Sequence, residues 1–153
     1  KITSFLRENK IPVMLNRLHD LPDLADDDVD ITFRTPALLV KDSILYCLQM
    51  EGDMEAMQSR NLPFLAGTSV AYGVSKEMAL QSITLNAAKI LGIDNMVGTL
   101  EMNKLASLVI SDGDLLDIRT NKVIAAYING KPVDLVNDQQ RLYEKYKAKY
   151  GLK

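Results

Sequence analysis

The spacing of hydrophobic positions changes along this chain, and each change predicts a different element. At the start, Ile2, Phe5 and Leu6 fall at helical spacing and suit the last turns of a helix. IPVMLN (11–16) is a short apolar run with β-branched residues, as a buried strand requires. RLHDLPDLADDDVDITFR (17–34) is polar and acidic, contains Pro22, and reads as a long loop. Thr35 as a cap and Pro36 in the first turn then start a short helix over PALLVKD. SILYCLQ (43–49) is a second buried strand, and MEGDMEAMQS (50–59) a second loop. Asn61 caps the next helix, with Leu62 and Pro63 in its first turn and Gly73 as its stop. Ser75 caps another, with Glu77 where the helix dipole favours an anion. Its apolar face runs through Ala79, Leu80, Ile83, Ala87, Ile90 and Leu91, and Gly92 follows as the stop.

The tail switches to strand period. Residues 105–111 and 122–129 read as strands. Asn129-Gly130 between AYI and KPV signals a hairpin, because both residues accept positive φ. Asp112-Gly113-Asp114 is a second turn. A last helix from 138 to 150 carries Leu142, Tyr143, Tyr146 and Tyr150 on one side, where packing is the expected role of the tyrosines. The implied organisation is βα units over 1–98, antiparallel strands over 99–136, and a helix over 137–153. Buried strands separated by helices imply parallel pairing. Two such strands fit an α/β barrel and a doubly wound sheet equally well. In both, ligands gather at the C-terminal strand ends, where the long loops fall here.

Composition narrows the function classes. A chain of 153 residues with 47% hydrophobic and 25% charged residues is an ordinary globular domain with a real core. A net charge of −2 gives no support for a nucleic-acid partner. No apolar run approaches the ~20 residues of a membrane span, so no membrane partner is expected. KITSFLRENK lacks the apolar core of a signal peptide. The chain opens on Lys1, which implies a processed or truncated product. The single Cys47 excludes an internal disulfide and a cysteine-built zinc site; within ILYCLQ it reads as a buried thiol. The compartment, cytoplasmic or periplasmic, stays open.

The pieces RNLPFLAG, AYG, KEMALQSITLNAAKILGID and VGTLEMNKLASLVISDGD resemble the closing segment of metal-dependent amidohydrolases, in particular the branch related to imidazolonepropionase. The resemblance covers most of this chain and the last third or so of a complete family member. It implies the C-terminal fragment of a (β/α)8 barrel, about its last two βα units, followed by a small antiparallel β element and a C-terminal helix. Residues 11–16 then stand as the seventh barrel strand and 44–49 as the eighth. It also implies hydrolysis of C–N bonds in a small-molecule cyclic amide or dipeptide substrate, by water activated on a divalent metal, zinc first among the candidates. The family's ligands are an HxH pair, two later histidines, and an Asp after the eighth strand that also serves as general base. The histidine ligands would lie before Lys1. The fragment alone is therefore expected to be inactive and to hold no metal.

Only the Asp position falls inside the chain. Family members show Ser-Asp or Thr-Asp there; this chain has Gln49-Met50-Glu51-Gly52-Asp53. Aligned on the strand and the glycine, Glu51 takes the place as catalytic carboxylate and metal ligand. Met50 takes it if the register slips by one, and Asp53 is a third candidate. Glu51 keeps a carboxylate on a longer arm, moving its oxygens by about an ångström, which matters at a site with sub-ångström tolerance. The departure also suits a catalytically degenerate relative acting as a binding or scaffold module. His19 with Asp20, on the loop after the first strand, and Arg60, at the start of the third helix, are substrate-binding candidates. Each also reads as structural: an exposed loop histidine and a loop anchor. Asp26, Asp27, Asp28 and Asp30 lack the spacing of a calcium loop and read as a solvated acidic run. Barrel strands without their neighbours expose sheet edges and apolar faces, so self-association of the fragment is expected.

Overall fold

The computed structural model describes residues 2–52 and 54–152. Helix α1 (Ile2–Glu8) leads into strand β1 (Val13–Leu15). A long connection containing helix α2 (Ile31–Lys41) returns to strand β2 (Tyr46–Leu48), which pairs with β1 in parallel. The register sets Val13 opposite Tyr46 and Leu15 opposite Leu48. This is the βα unit expected from the alternating pattern. Helices α4 (Leu62–Ala71), α5 (Lys76–Ser82) and α6 (Leu85–Leu91) cover β2, whose three residues are all buried. The core runs through Tyr46, Leu48, Leu39 of α2, Leu65 and Ala66 of α4, and Ala79 of α5. No helix among the described residues is long and apolar enough to cross a membrane.

Several boundaries differ from the sequence expectation, each for a local reason. Helix α2 starts at Ile31, a turn before Thr35. The Asp30 carbonyl accepts from Arg34 N (3.1 Å), and the carboxylates of Asp28 and Asp30 sit at the positive end of the helix, paired to Arg34. Thr35 therefore lies inside the helix, donating its hydroxyl to Ile31 O (2.8 Å), and Pro36 is a fully buried interior residue. Asn61 is not a side-chain cap. It closes a 3₁₀ turn (Ser59–Asn61) that runs straight into α4, preceded by a one-turn helix α3 (Glu55–Gln58).

Ser75 does cap α5, accepting from Met78 N (3.3 Å), and Gly92 stops α6 at φ +69°. The single helix expected between them is broken at Ile83 and Thr84. Ile83 N and Thr84 N bond three residues back, to Leu80 O and Gln81 O, and the Thr84 hydroxyl takes Leu80 O as well (2.8 Å). The break swings α6 so that Asn86 Nδ2 reaches the carbonyl of Tyr46 (3.0 Å). It also leaves Leu80 and Leu91 of the expected apolar face exposed.

Strands β3 (Leu108–Ser111), β4 (Val123–Ile128) and β5 (Lys131–Pro132) form an antiparallel sheet. The β4–β5 turn is Asn129-Gly130, both at positive φ, as the hairpin signal requires. Helix α7 (Asp138–Lys149) opens on a capping box between Asn137 and Gln140. Its tyrosines do not pack as expected. Tyr143, Tyr146 and Tyr150 are exposed, and Tyr146 stacks on Tyr150 at 6.3 Å.

The β3–β4 connection is what joins the small sheet to the helices. Leu116 is buried in the main core, and its carbonyl lies against Gly67 of α4: a methyl group there would sit 2.0 Å from Leu116 O. Lys76 and Asp114 close the same joint at 2.5 Å. We expect Gly67→Ala to destabilise the chain by about 1–3 kcal/mol through overpacking against backbone. Gly92→Ala, strained only by its positive φ with open space around it, should cost about 1–2 kcal/mol with the joint intact. Urea unfolding compares the two, with Lys76→Ala in each background as a reporter. The joint is wrongly placed if Lys76→Ala has the same effect in both.

Candidate active site

The C-terminal ends of β1 and β2 open on a cleft of about 420 Å³, walled by residues 16–20, Met50, Gln58, Asn61, Phe64, Leu65 and Ile118. Its floor follows from how β1 ends. Asn16 Oδ1 accepts from Arg17 N (2.9 Å), and Arg17 takes positive φ (57°). That turn buries Leu18 and lifts His19 to the surface, while Arg17 pairs with Asp20 at 2.5 Å. Neighbouring elements then brace His19. Its Nε2 lies 2.8 Å from Thr68 Oγ1 on α4, and its ring meets Phe33 of α2 edge-on at 5.7 Å. Phe33 in turn stacks on Tyr72 at 5.4 Å.

Glu51 stands at the rim beside Met50. It is exposed and does not form part of the cleft wall. Two amides hold it at the strand ends: Gln49 Nε2 donates to Glu51 Oε2 (3.1 Å), and Asn16 Nδ2 donates to the Glu51 carbonyl (3.5 Å). Met50 lines the cleft and packs on the core. Arg60 is exposed on the 3₁₀ turn and lies outside the cleft wall. Asp53 falls outside the described residues. Of the acidic run, Asp28 and Asp30 are committed to Arg34. Among the described residues no three His, Cys, Asp or Glu side chains gather as a metal site. Cys47 is buried, and burial pushes its thiol up, away from thiolate chemistry.

Asn61, Phe64 and Ile118 join the cleft without having been singled out from sequence. Asn61 sits in a position that reads as a cap, and Phe64 in one that reads as core. Ile118 comes from a loop 100 residues after Leu18 in the chain and has no local signal. Its flanking residues present it: Asp117 Oδ1 accepts from Arg119 N and Nε (3.0 Å each), and Oδ2 accepts from Nη2 (2.8 Å). The Arg119 guanidinium and backbone N–H hold the Asp117 carboxyl down at about 2. A second, shallower hollow of about 310 Å³ lies over the Lys76–Asp114 joint and is part of that joint.

Residues 18–136 match the amidohydrolase family. The crystal structure of an amidohydrolase from Thermotoga maritima MSB8 is similar to this chain at 32% identity and a TM-score of 0.73, over 87% of this chain and 34% of its own. The crystal structure of an uncharacterized protein is similar at 20% identity and a TM-score of 0.55, over 70% of this chain and 27% of its own, a likeness of fold alone. No curated protein matches significantly. This chain thus spans about a third of the Thermotoga chain.

Arg119→Ala should raise the Asp117 carboxyl from about 2 but leave it below its ordinary 3.8, because the backbone N–H of residue 119 remains, as read by carboxyl NMR titration. A carboxyl lowered in the folded state stabilises it above the unfolded value and loses that contribution as pH falls through the folded one. The wild type should therefore be the more stable above about pH 4, with the difference fading toward about pH 2. An unmoved titration would show that Arg119 does not hold the turn.

Proposed function

This chain belongs to the amidohydrolase family, and from that premise we propose that it is the C-terminal part of a hydrolase of the imidazolonepropionase-related branch, cleaving the C–N bond of a cyclic amide or dipeptide-like substrate. The observation that carries the reading is the cleft at the C-terminal ends of two parallel strands, most of whose lining, from Leu18 to Ile118, falls within the matched residues. In an α/β barrel this rim is where reacting groups gather. On this reading β1 and β2 are the seventh and eighth strands of a barrel whose other strands lie outside this chain.

The family is generally metal-dependent. Among the described residues no cluster of three ligands gathers, and on this reading Glu51 would give a metal one oxygen ligand, with the others supplied from outside this chain. When bound, a divalent metal would lower the pKa of its water toward ~7; zinc is the candidate implied by a set of imidazole and carboxylate ligands rather than by Glu51 alone. Gln49 holds the Glu51 carboxylate at the strand ends by donating to Oε2. Met50, Phe64 and Ile118 offer the substrate an apolar wall and exclude water from it. His19 and Asn61 supply polar contacts on the same wall.

A second reading, a degenerate relative that binds without turnover, draws on one observation. Glu51 has a longer arm than the family Asp and stands outside the cleft wall. Assays of the full-length protein on lactams, hydantoins and dipeptides separate the two. For the enzyme, Glu51→Gln should lower kcat/KM by about 100-fold or more, and an unchanged rate would remove Glu51 from the site. For the degenerate relative, the wild type is inactive and Glu51→Asp gains activity.

The isolated 153-residue chain should be inactive and self-associated, because β1 and β2 form a two-stranded sheet with Met14, Leu45 and Phe5 exposed around it. Light scattering should give a mass above the 17.1 kDa of one chain. A monomer at high concentration contradicts the self-association. Stoichiometric zinc with turnover in this chain contradicts its being an inactive part.

A further inference from the structure

His19 has two ring nitrogens, and the structure accounts for one of them. Nε2 lies 2.8 Å from Thr68 Oγ1. Thr68 carries a single hydroxyl proton, and its Oγ1 stands 3.1 Å from the Phe64 carbonyl one turn back, the ordinary acceptor for a threonine hydroxyl inside a helix. With the proton given to that carbonyl, the hydroxyl oxygen accepts from Nε2–H of His19. In the neutral ring this makes Nδ1 a lone-pair acceptor, and no partner for it exists among the described residues. Phe33 meets the ring edge-on, and Tyr72 backs Phe33. The same residue lines the cleft with Phe64 and Ile118, and no bond joins its ring to the cleft's donors Asn61, Gln58 and Arg17.

We infer that His19 selects substrates bearing an N–H donor, through a neutral imidazole whose Nδ1 accepts from that N–H and whose tautomer Thr68 sets. The inference rests on the proposed amide hydrolysis and narrows its substrate: a secondary amide, such as an unsubstituted lactam, hydantoin or dipeptide, over its N-methyl counterpart. Thr68 is a positioning residue in this arrangement, acting through His19. A site that holds an unpaired acceptor against a methyl group discriminates because the acceptor stays desolvated and unsatisfied.

Two measurements test this. His19 is the chain's one histidine, so ¹⁵N-imidazole spectra of the chain contain a single ring. At about pH 8.5 the ring should carry its proton on Nε2, and Thr68→Val should redistribute it toward Nδ1. A ring protonated on Nδ1 in the wild type overturns the inference. In the full-length protein, N-methylation of a hydrolysed amide should raise KM about tenfold with kcat changed less, the effect of one lost hydrogen bond. His19→Phe should erase that difference, and His19→Asn, whose side-chain oxygen can stand near the place of Nδ1, should keep part of it. Hydrolysis that proceeds with equal KM for both amides overturns this inference alone. Failure to hydrolyse any amide overturns the proposed reaction and this substrate assignment with it.

Discussion

Helix α4 meets its surroundings through a run of small side chains, and the rest of the structure depends on how closely they let neighbours approach. Leu65 and Ala66 are buried in the core. Gly67 receives the Leu116 carbonyl at a distance that leaves no room for a methyl group. Thr68 holds the His19 ring, and Ser69, fully buried, faces Tyr46 of β2. Successive residues thus address the sheet, the small β element and the cleft. A helix can serve three neighbours in five residues because successive side chains point about 100° apart. It can do so at close range only where those side chains are small.

The same packing explains an imperfection in the core. The Tyr46 hydroxyl is buried between Ser69 and Ser82, yet it has no hydrogen bond of acceptable geometry among the described residues. Both serines give their protons to their own helices, Ser69 to Ala66 O (2.6 Å) and Ser82 to Ala79 O (2.7 Å). Burial pushes the Tyr46 hydroxyl up. The tyrosine ring fills the space between β2, α4 and α5, and packing wins there over the pairing of one polar atom.

The cleft is assembled by the same contacts. Its polar floor belongs to the loop after β1, its apolar wall to α4, and its far edge to Ile118 of the β3–β4 connection. Ile118 reaches the cleft because Leu116, two residues earlier, is anchored at Gly67 and because Arg119 and Asp117 fold the turn between them. A small sheet distant from the strand ends in sequence therefore contributes to the site through one connection. The candidate carboxylate, by contrast, is placed locally, by Gln49 two residues before it and Asn16 at the end of the paired strand.

Much of the punctuation was legible from residues alone. Ser75 caps a helix, Gly92 stops one, and Asn129-Gly130 turns a hairpin, because each depends on one residue's φ or one short-range hydrogen bond. The parallel pairing of the two apolar runs followed from their hydrophobicity and the length of chain between them. Tertiary structure alone decided the features that join distant residues. The start of α2 depends on Arg34 reaching back to Asp28, and the direction of α6 goes with the contact of Asn86 to Tyr46, forty residues away. Asn61 became cleft wall rather than cap, and His19 acquired a fixed ring through Thr68, forty-nine residues on. Residue type sets what a side chain can do, but the partner that fixes its role is brought near only when the core closes.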